Sequence, residues 1–361
     1  MEDNPKEEDD YDPYAERNVP NGTNDLESMM HIIKGILGTG ILAMPEAFKN
    51  SGMILGFVGS IGNGLLCTYA IHVFVNCLYM LCKKNRKPAL TYSEAMKVGF
   101  ADGPAWAKPR SGLACKLADS FIIAYQRRLV DTFLLTFGLQ RFPLAFGTTC
   151  FAFTSVAIVF AVENNMKTPK HFGGWFGIYN RSLAILMTVY IALAFLGYWK
   201  FGEDTKSSIA LNLPPNAILT QTVNLLYALA IYISFGLNGL VPINLLWNSY
   251  LYKRLEDSSS QLAWEYLLRI LLVTICLVFA ATVPMLGLFV SLLGAITLSH
   301  LLFIFPGLLD LCTRYPNNYG RGKIYKYRSI FLICYGYIGL LTGVSVGFYE
   351  IALEFKNIYS K

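Results

Sequence analysis

From His31 to Gly52 the chain reads HIIKGILGTGILAMPEAFKNSG, apolar enough to enter a bilayer yet interrupted by Gly35, Gly38, Gly40 and Pro45. Glycine costs a helix about 1 kcal/mol relative to alanine, and proline about 3. In hydrocarbon an unpaired backbone group is costly, so an interrupted helix persists only where protein, water or a ligand satisfies it. Gly38-Thr39-Gly40 therefore marks a candidate binding break. The amides that open the second half-helix point at an anion, helped by the helix dipole. The carbonyls that close the first half accept from an ammonium group or a cation. A free amino acid carries both charges on neighbouring atoms, so the chemistry on offer is recognition of a zwitterion. Glycines also let membrane helices pack closely, and Gly35 with Gly38 or Gly40 is compatible with that use.

The rest of the chain offers no competing chemistry. Cys67, Cys77, Cys82, Cys115, Cys150, Cys276, Cys312 and Cys334 are scattered in or beside apolar runs. They form no CxxC pair and no Cys/His cluster, which is the pattern of small buried residues rather than of a metal site. A Walker loop, a GxSxG elbow and an HExxH helix are absent as well. No catalytic residue, cofactor or metal is expected, and the chain is not read as an enzyme. His72 and His300 lie in apolar runs without an assigned role. Asn21-Gly-Thr and Asn180-Arg-Ser fit the glycosylation pattern.

The elements that must position the break are membrane spans. The 361 residues are 54% hydrophobic and only 15% charged, too little polar surface for a soluble domain of this length. Seven apolar stretches are long enough to cross a hydrocarbon core of about 30 Å: 54–81, 142–162, 182–199, 219–247, 266–283, 285–311 and 329–353. The opening stretch makes an eighth. The fold class is therefore an all-α polytopic membrane protein of about eight spans. Residues 1–28 differ, with ten acidic side chains against Lys6 and Arg17 and few large apolar groups. Such a segment buries too little apolar surface to offset its ordering entropy, so a disordered tail is expected there, ahead of a transmembrane domain over 29–361. The net positive charge of the remainder lies in loops between spans, where it suits membrane topology better than nucleic-acid binding.

The same residues resemble a known family. HIIKGILGTGILAMPEAFKNSG is similar to the first helix of the proton-coupled amino acid transporters, within the amino acid/auxin permease superfamily. The similarity continues through GNGLLCTYAIHVFVNC (62–77), LTYSEAM (90–96) and FPLAFGTTCFAFTSVAIVFAVENNMKTPKHFGG (142–174), in which ENNMKTP is specific to the family. LNLP (211–214), YISFGL (232–237) with Val241-Pro242, and FPGLLDL (305–311) complete it, in the manner of an insect-type member. The resemblance implies proton-coupled symport of small neutral amino acids by alternating access on a LeuT-like scaffold of two inverted repeats. Substrate would sit between the broken first helices of the two repeats. One break falls at Gly38, Thr39 and Gly40; the other, which has no glycine of its own, falls near Phe153, Thr154 and Ser155. His31 matches the histidine that the family associates with proton coupling, and an imidazole changes charge near physiological pH. The implied location is a plasma, lysosomal or endosomal membrane with the N-terminus in the cytoplasm.

Two departures qualify this. Asn238-Gly239-Leu240 stands where relatives carry a glutamine and an aromatic residue, which bears on substrate preference. More seriously, family members have about eleven spans, three of them between the LTYSEAM loop and FPLAFGT. Here that interval holds only KLADSFIIAYQRRLVDTFLLTFGLQR (116–141). Spans three to five are missing, so the first repeat (29–141) is incomplete while the second repeat and last helix (142–361) are whole. The basic loops at 82–116, 163–181, 253–254 and 314–328 share one side only if the chain crosses an odd number of times between 116 and 142. That requires the stub 117–139 to cross once, giving nine spans, with Arg127, Arg128 and Asp131 near its centre. Charges at that depth disfavour a lipid-exposed crossing, and the missing helices would supply part of both moving bodies, so an unstable or inverted product with little proton-driven uptake is expected. The alternative function is a transport-dead membrane protein that senses amino acids or binds partners. A seven-helix receptor fits poorly, because it needs no glycine break in the middle of a span.

Overall fold

The computed structural model describes residues 11–17, 19, 22–37, 40–126, 138–153, 156–206, 208–247, 251–252, 261–282, 286–316 and 318–359. In chain order the helices are α1 (Asp25–Ile36), α2 (Gly40–Ser51), α3 (Met53–Lys84), α4 (Tyr92–Asp102), α5 (Ser111–Gln126), α6 (Gly138–Ala152) and α7 (Val156–Asn165). They continue with α8 (Ile178–Phe201), α9 (Ile218–Leu246), α10 (Gln261–Thr282), α11 (Leu286–Leu293), α12 (Phe305–Thr313) and α13 (Ile324–Tyr359). Between α11 and α12 the helix continues through Gly294–Ile304 with π-type hydrogen bonding. No strand occurs among the described residues, whose one β contact is an isolated pairing of Thr23 with Met166.

Five helical runs among the described residues are long and apolar enough to cross a membrane, and α1 with α2 forms a sixth that is bent by 54°. In the other two expected spans the described apolar helices are shorter, Pro143–Ala152 in α6 and Ile218–Tyr232 in α9. α9 and α10 present large apolar side chains outward, Leu225 and Leu277 among them, as lipid-facing helices do.

The core is built by α2, α3, α6, α8, the π-type segment, α12 and α13. Small residues set how closely these approach. A Cβ on Gly147 of α6 would meet the Ser291 carbonyl at 2.5 Å, and one on Gly294 would meet the Gly147 carbonyl at 2.8 Å. Gly336, Gly339, Gly343 and Gly347 give α13 a face without side chains, against Ile304, Phe146, Ala295 and Leu292. Without a solvent-driven hydrophobic force between helices in lipid, such close packing is a principal source of association. One buried carboxylate ties three helices together. Asp310 of α12 accepts from Arg314 Nε (2.7 Å), Arg328 (2.6 Å), Ser329 Oγ (2.5 Å) and the Cys77 thiol of α3 (3.3 Å).

The N-terminal segment differs from a free tail where it is described. Asn24 and Glu27 form a reciprocal cap that starts α1 at Asp25, inside the stretch expected to be disordered. Residues 11–17 lie against α3, the segment after it and the end of α7. Residues 1–10 lie outside the described residues.

These contacts also bear on the missing spans. Arg17 bonds to both Pro88 and Glu163, Thr23 pairs with the chain at 165–167, and Asp25 meets His171 at 2.6 Å. The tail, the segment after α3 and the segment after α7 therefore share one face. On the opposite face, the Lys49 ammonium at the end of α2 donates to the carbonyls of Glu203 and Thr205 beyond α8. Since α6 and α7 make one traverse ending at the tail's face, α6 starts on the far one. The chain must then change sides between α4 and α6. α5 is the described part of that passage, 16 residues or about 24 Å of helix. Arg127, Arg128 and Asp131 lie outside the described residues.

Candidate functional site

The ends of the two interrupted helices meet. α2 begins at Gly40 and α6 ends at Ala152, and a Cβ on Gly40 would come within 2.8 Å of the Ala152 Cα. Only glycine permits that approach. The first turn of α2 thus sits beside the last turn of α6, so the amide end of one helix lies next to the carbonyl end of the other. Two partial charges of opposite sign lie side by side, and this is the electrostatic complement of a zwitterion.

The first half-helix is closed from two directions. The Leu37 amide donates to Ile33 at 2.8 Å, and the Tyr190 hydroxyl of α8 donates to the Ile36 carbonyl at 2.6 Å. Phe153, just past α6, is buried and its ring centroid lies 5.5 Å from that of Tyr190. Tyr190 therefore connects both interruptions. Of the expected site residues, Gly40 and Phe153 are brought together here. Gly38, Thr39, Thr154 and Ser155 lie outside the described residues.

His31 is not turned into this site. It lies on the exposed face of α1, together with Leu26 (66% exposed), Met30 (58%) and Leu37 (45%), while Ile32 and Ile36 pack inward. Of the Asn238-Gly239-Leu240 departure the structure describes the backbone, inside α9.

A polar cluster not singled out from sequence lies next to the breaks. Asn63 of α3 is buried and donates to Thr149 Oγ1 (2.7 Å) and Cys150 Sγ (3.2 Å) of α6. Its carbonyl oxygen accepts from the Tyr335 hydroxyl of α13 at 3.4 Å and from the thiols of Cys67 and Cys150. One turn earlier on α3, the buried Ser60 hydroxyl has no partner among the described residues. Asparagine in the middle of an apolar run is costly and marks function by default, so Asn63 was the available signal. The two other histidines in apolar runs hold structural partners: His72 Nε2 is 2.6 Å from Asn180 Oδ1, and His300 stacks on Phe121 with ring centroids 4.3 Å apart. Cys67, Cys77, Cys82, Cys150 and Cys312 are buried, and all eight cysteines are free.

The family described as transmembrane amino acid transporter protein matches residues 22–109 and 114–349. The chain is 28% identical over 424 residues to the Drosophila melanogaster protein named proton-coupled amino acid transporter-like protein pathetic, covering 96% of this chain and 89% of that one. It is 30% identical over 192 residues to vacuolar amino acid transporter 3 of Saccharomyces cerevisiae, covering 52% of this chain and 27% of the yeast protein. The Drosophila alignment is longer than the 361 residues here, so at least 63 of its positions hold a residue of the relative and none of this chain. At about 20 residues per span, that shortfall has the size of three helices. The family match runs through both interrupted helices and most of the bundle around them: the chain is a multi-pass membrane protein that belongs to the transmembrane amino acid transporter family, within the amino acid/auxin permease group.

Proposed function

We propose that this chain binds a small neutral amino acid between the start of α2 and the end of α6 and carries it across the membrane together with a proton. The observation that supports this most is the contact of Gly40 with Ala152, which sets helix-start amides beside helix-end carbonyls at the junction of two interrupted helices. Transporter folds place substrate between such discontinuous helices near the bilayer midplane. Proton coupling is supported by the name of the Drosophila relative and by His31 on α1. The N-terminus is read as cytoplasmic, because the face it shares carries the basic segments 83–87 and 167–181. The membrane is that of the cell surface, lysosome or endosome.

The uncovered apolar face of α1 favours a second reading, a chain that binds an amino acid without carrying it. In a rocking scaffold one bundle turns against another around the site, and here Leu26, Met30 and Leu37 have no neighbour to turn against among the described residues. Uptake of radiolabelled alanine or proline into proteoliposomes separates the two. Uptake driven by an acid exterior, with its pH profile flattened by His31→Ala, supports symport. Saturable binding without uptake supports the second reading. Neither binding nor uptake would contradict both.

A further inference from the structure

The docking of the N-terminal segment is built around one side chain. Arg17 is almost wholly buried (4% exposed), as is Glu163 at the end of α7 (1%). The guanidinium donates to Glu163 Oε1 at 3.0 Å, to Oε2 at 3.4 Å and to the Glu163 main-chain carbonyl at 3.0 Å. Its Nε donates to the Pro88 carbonyl at 2.8 Å. The Tyr14 ring packs 4.8 Å from the guanidinium and 4.9 Å from the ring of Tyr79 on α3. One residue of the tail thus joins the last turn of α7 to the segment that follows α3. Exposed contacts accompany it, the Asp12–Lys170 pair at 2.8 Å and the pairing of Thr23 with residues 165–167.

A buried ion pair adds little net stability, because desolvation offsets the attraction, whereas removing one partner is severely unfavourable. What such a pair fixes is geometry, and here the geometry concerns a part expected to move. α7 is the second half of an interrupted helix, and its main helix neighbour is α1, half of the other one. Opening this face separates the end of α7 from the end of α3, and Arg17 spans that gap.

We propose that Arg17 is a positioning residue of the transport cycle, with residues 11–17 forming a strap that closes this face of the molecule. Seated between Glu163 and Pro88, the guanidinium holds α7 against α3, and it withdraws when the face opens. The assignment rests on the transporter reading above, and its test requires no transport.

Native Cys82 serves as the reporter. It is fully buried on α3, one turn beyond the Tyr79 on which Tyr14 packs, and it lies in the fields of Arg17 and Glu163. Labelling of the full chain in nanodiscs with a membrane-impermeant maleimide, resolved by peptide, reads its exposure. Arg17→Ala is expected to label at Cys82 roughly tenfold faster or more, because the remaining buried carboxylate opposes closure. Arg17→Lys gives an intermediate rate, keeping the charge and losing the two-pronged fork. The exchanged pair Arg17→Glu with Glu163→Arg returns the rate toward wild type. Cys77, fully buried beside Asp310, stays unlabelled throughout and reports an intact bundle. Equal Cys82 rates in wild type and Arg17→Ala would overturn the proposal, since the face would then close without Arg17. Joint labelling of Cys77 and Cys82 would also overturn it, showing that Arg17 only holds the fold together. A chain that closes this way yet carries no substrate refutes the transporter reading alone.

Discussion

Tyr190 is the residue on which both helix interruptions converge, through its hydroxyl on the Ile36 carbonyl and its ring beside Phe153. Tyr190→Phe keeps the ring and removes the donor, leaving a buried carbonyl unpaired. That is expected to destabilise the protein by about 1–3 kcal/mol, read as a lower melting temperature in detergent with helix content unchanged. A melting temperature equal to wild type would show that the carbonyl finds another partner and that Tyr190 does not hold the break. Such residues differ in how well sequence reveals them. Gly38, Gly40 and Pro45 stand out because no ordinary span tolerates them together, and Asn63 stands out as an amide in an apolar run. Tyr190, Thr149 and Tyr335 do not, since hydroxyls are common in membrane helices and only the fold shows which of them meet. Asn180, which fits the glycosylation pattern, is held by its neighbours: its amide nitrogen donates to the Gly174 and Trp175 carbonyls and its oxygen meets His72.

Among the elements, the first interruption was legible and the second was not. α1 and α2 part at a glycine pair, whereas α6 gives way to α7 at Phe153-Thr154-Ser155, which contains no helix breaker; only the family resemblance pointed there. The strap was illegible for a different reason. Its acidic composition predicts disorder, but composition does not record that Arg17 has a buried carboxylate waiting 146 positions later. The outer clasp of the strap has a definite pH response. The hydrogen bond from Lys170 holds the Asp12 carboxyl below the usual carboxylate range. A depressed carboxylate contributes above its unfolded pKa and stops contributing as pH falls through the folded value. With the unfolded value near 3.9, the clasp stays intact from about pH 8 to about pH 5 and releases only in stronger acid. Trypsin cleavage after Arg17, normalised to a free peptide of the same sequence, measures docking. The expected outcome is a protected bond with a flat normalised rate over that range. A steep rise between pH 8 and pH 5 would mean that a group other than Asp12 controls the strap.

At the scale of the whole molecule, the question is how a chain at least 63 positions shorter than its Drosophila alignment keeps both interruptions in register. Sequence made the deficit visible and pointed to an unstable or inverted product. The structure puts the tail, the segment after α3 and the segment after α7 on one face, with Lys49 and the turn at 203–205 on the other. A glycosylation sequon introduced between His171 and Gly177 is therefore expected to remain unmodified in microsomes, and one introduced at 203–206 to be modified. The reverse pattern would show inversion and remove the single crossing by the stub. The central claim, however, is that the junction of the two interrupted helices receives an amino acid. Equilibrium binding of radiolabelled alanine or proline to the purified chain, wild type against Gly40→Val, tests it most directly. Saturable binding by wild type is expected, with loss of at least about 1.4 kcal/mol, or tenfold in affinity, when a side chain is forced between Gly40 and Ala152. Absence of saturable binding by folded wild-type protein, or equal affinity in a folded Gly40→Val variant, would contradict the account.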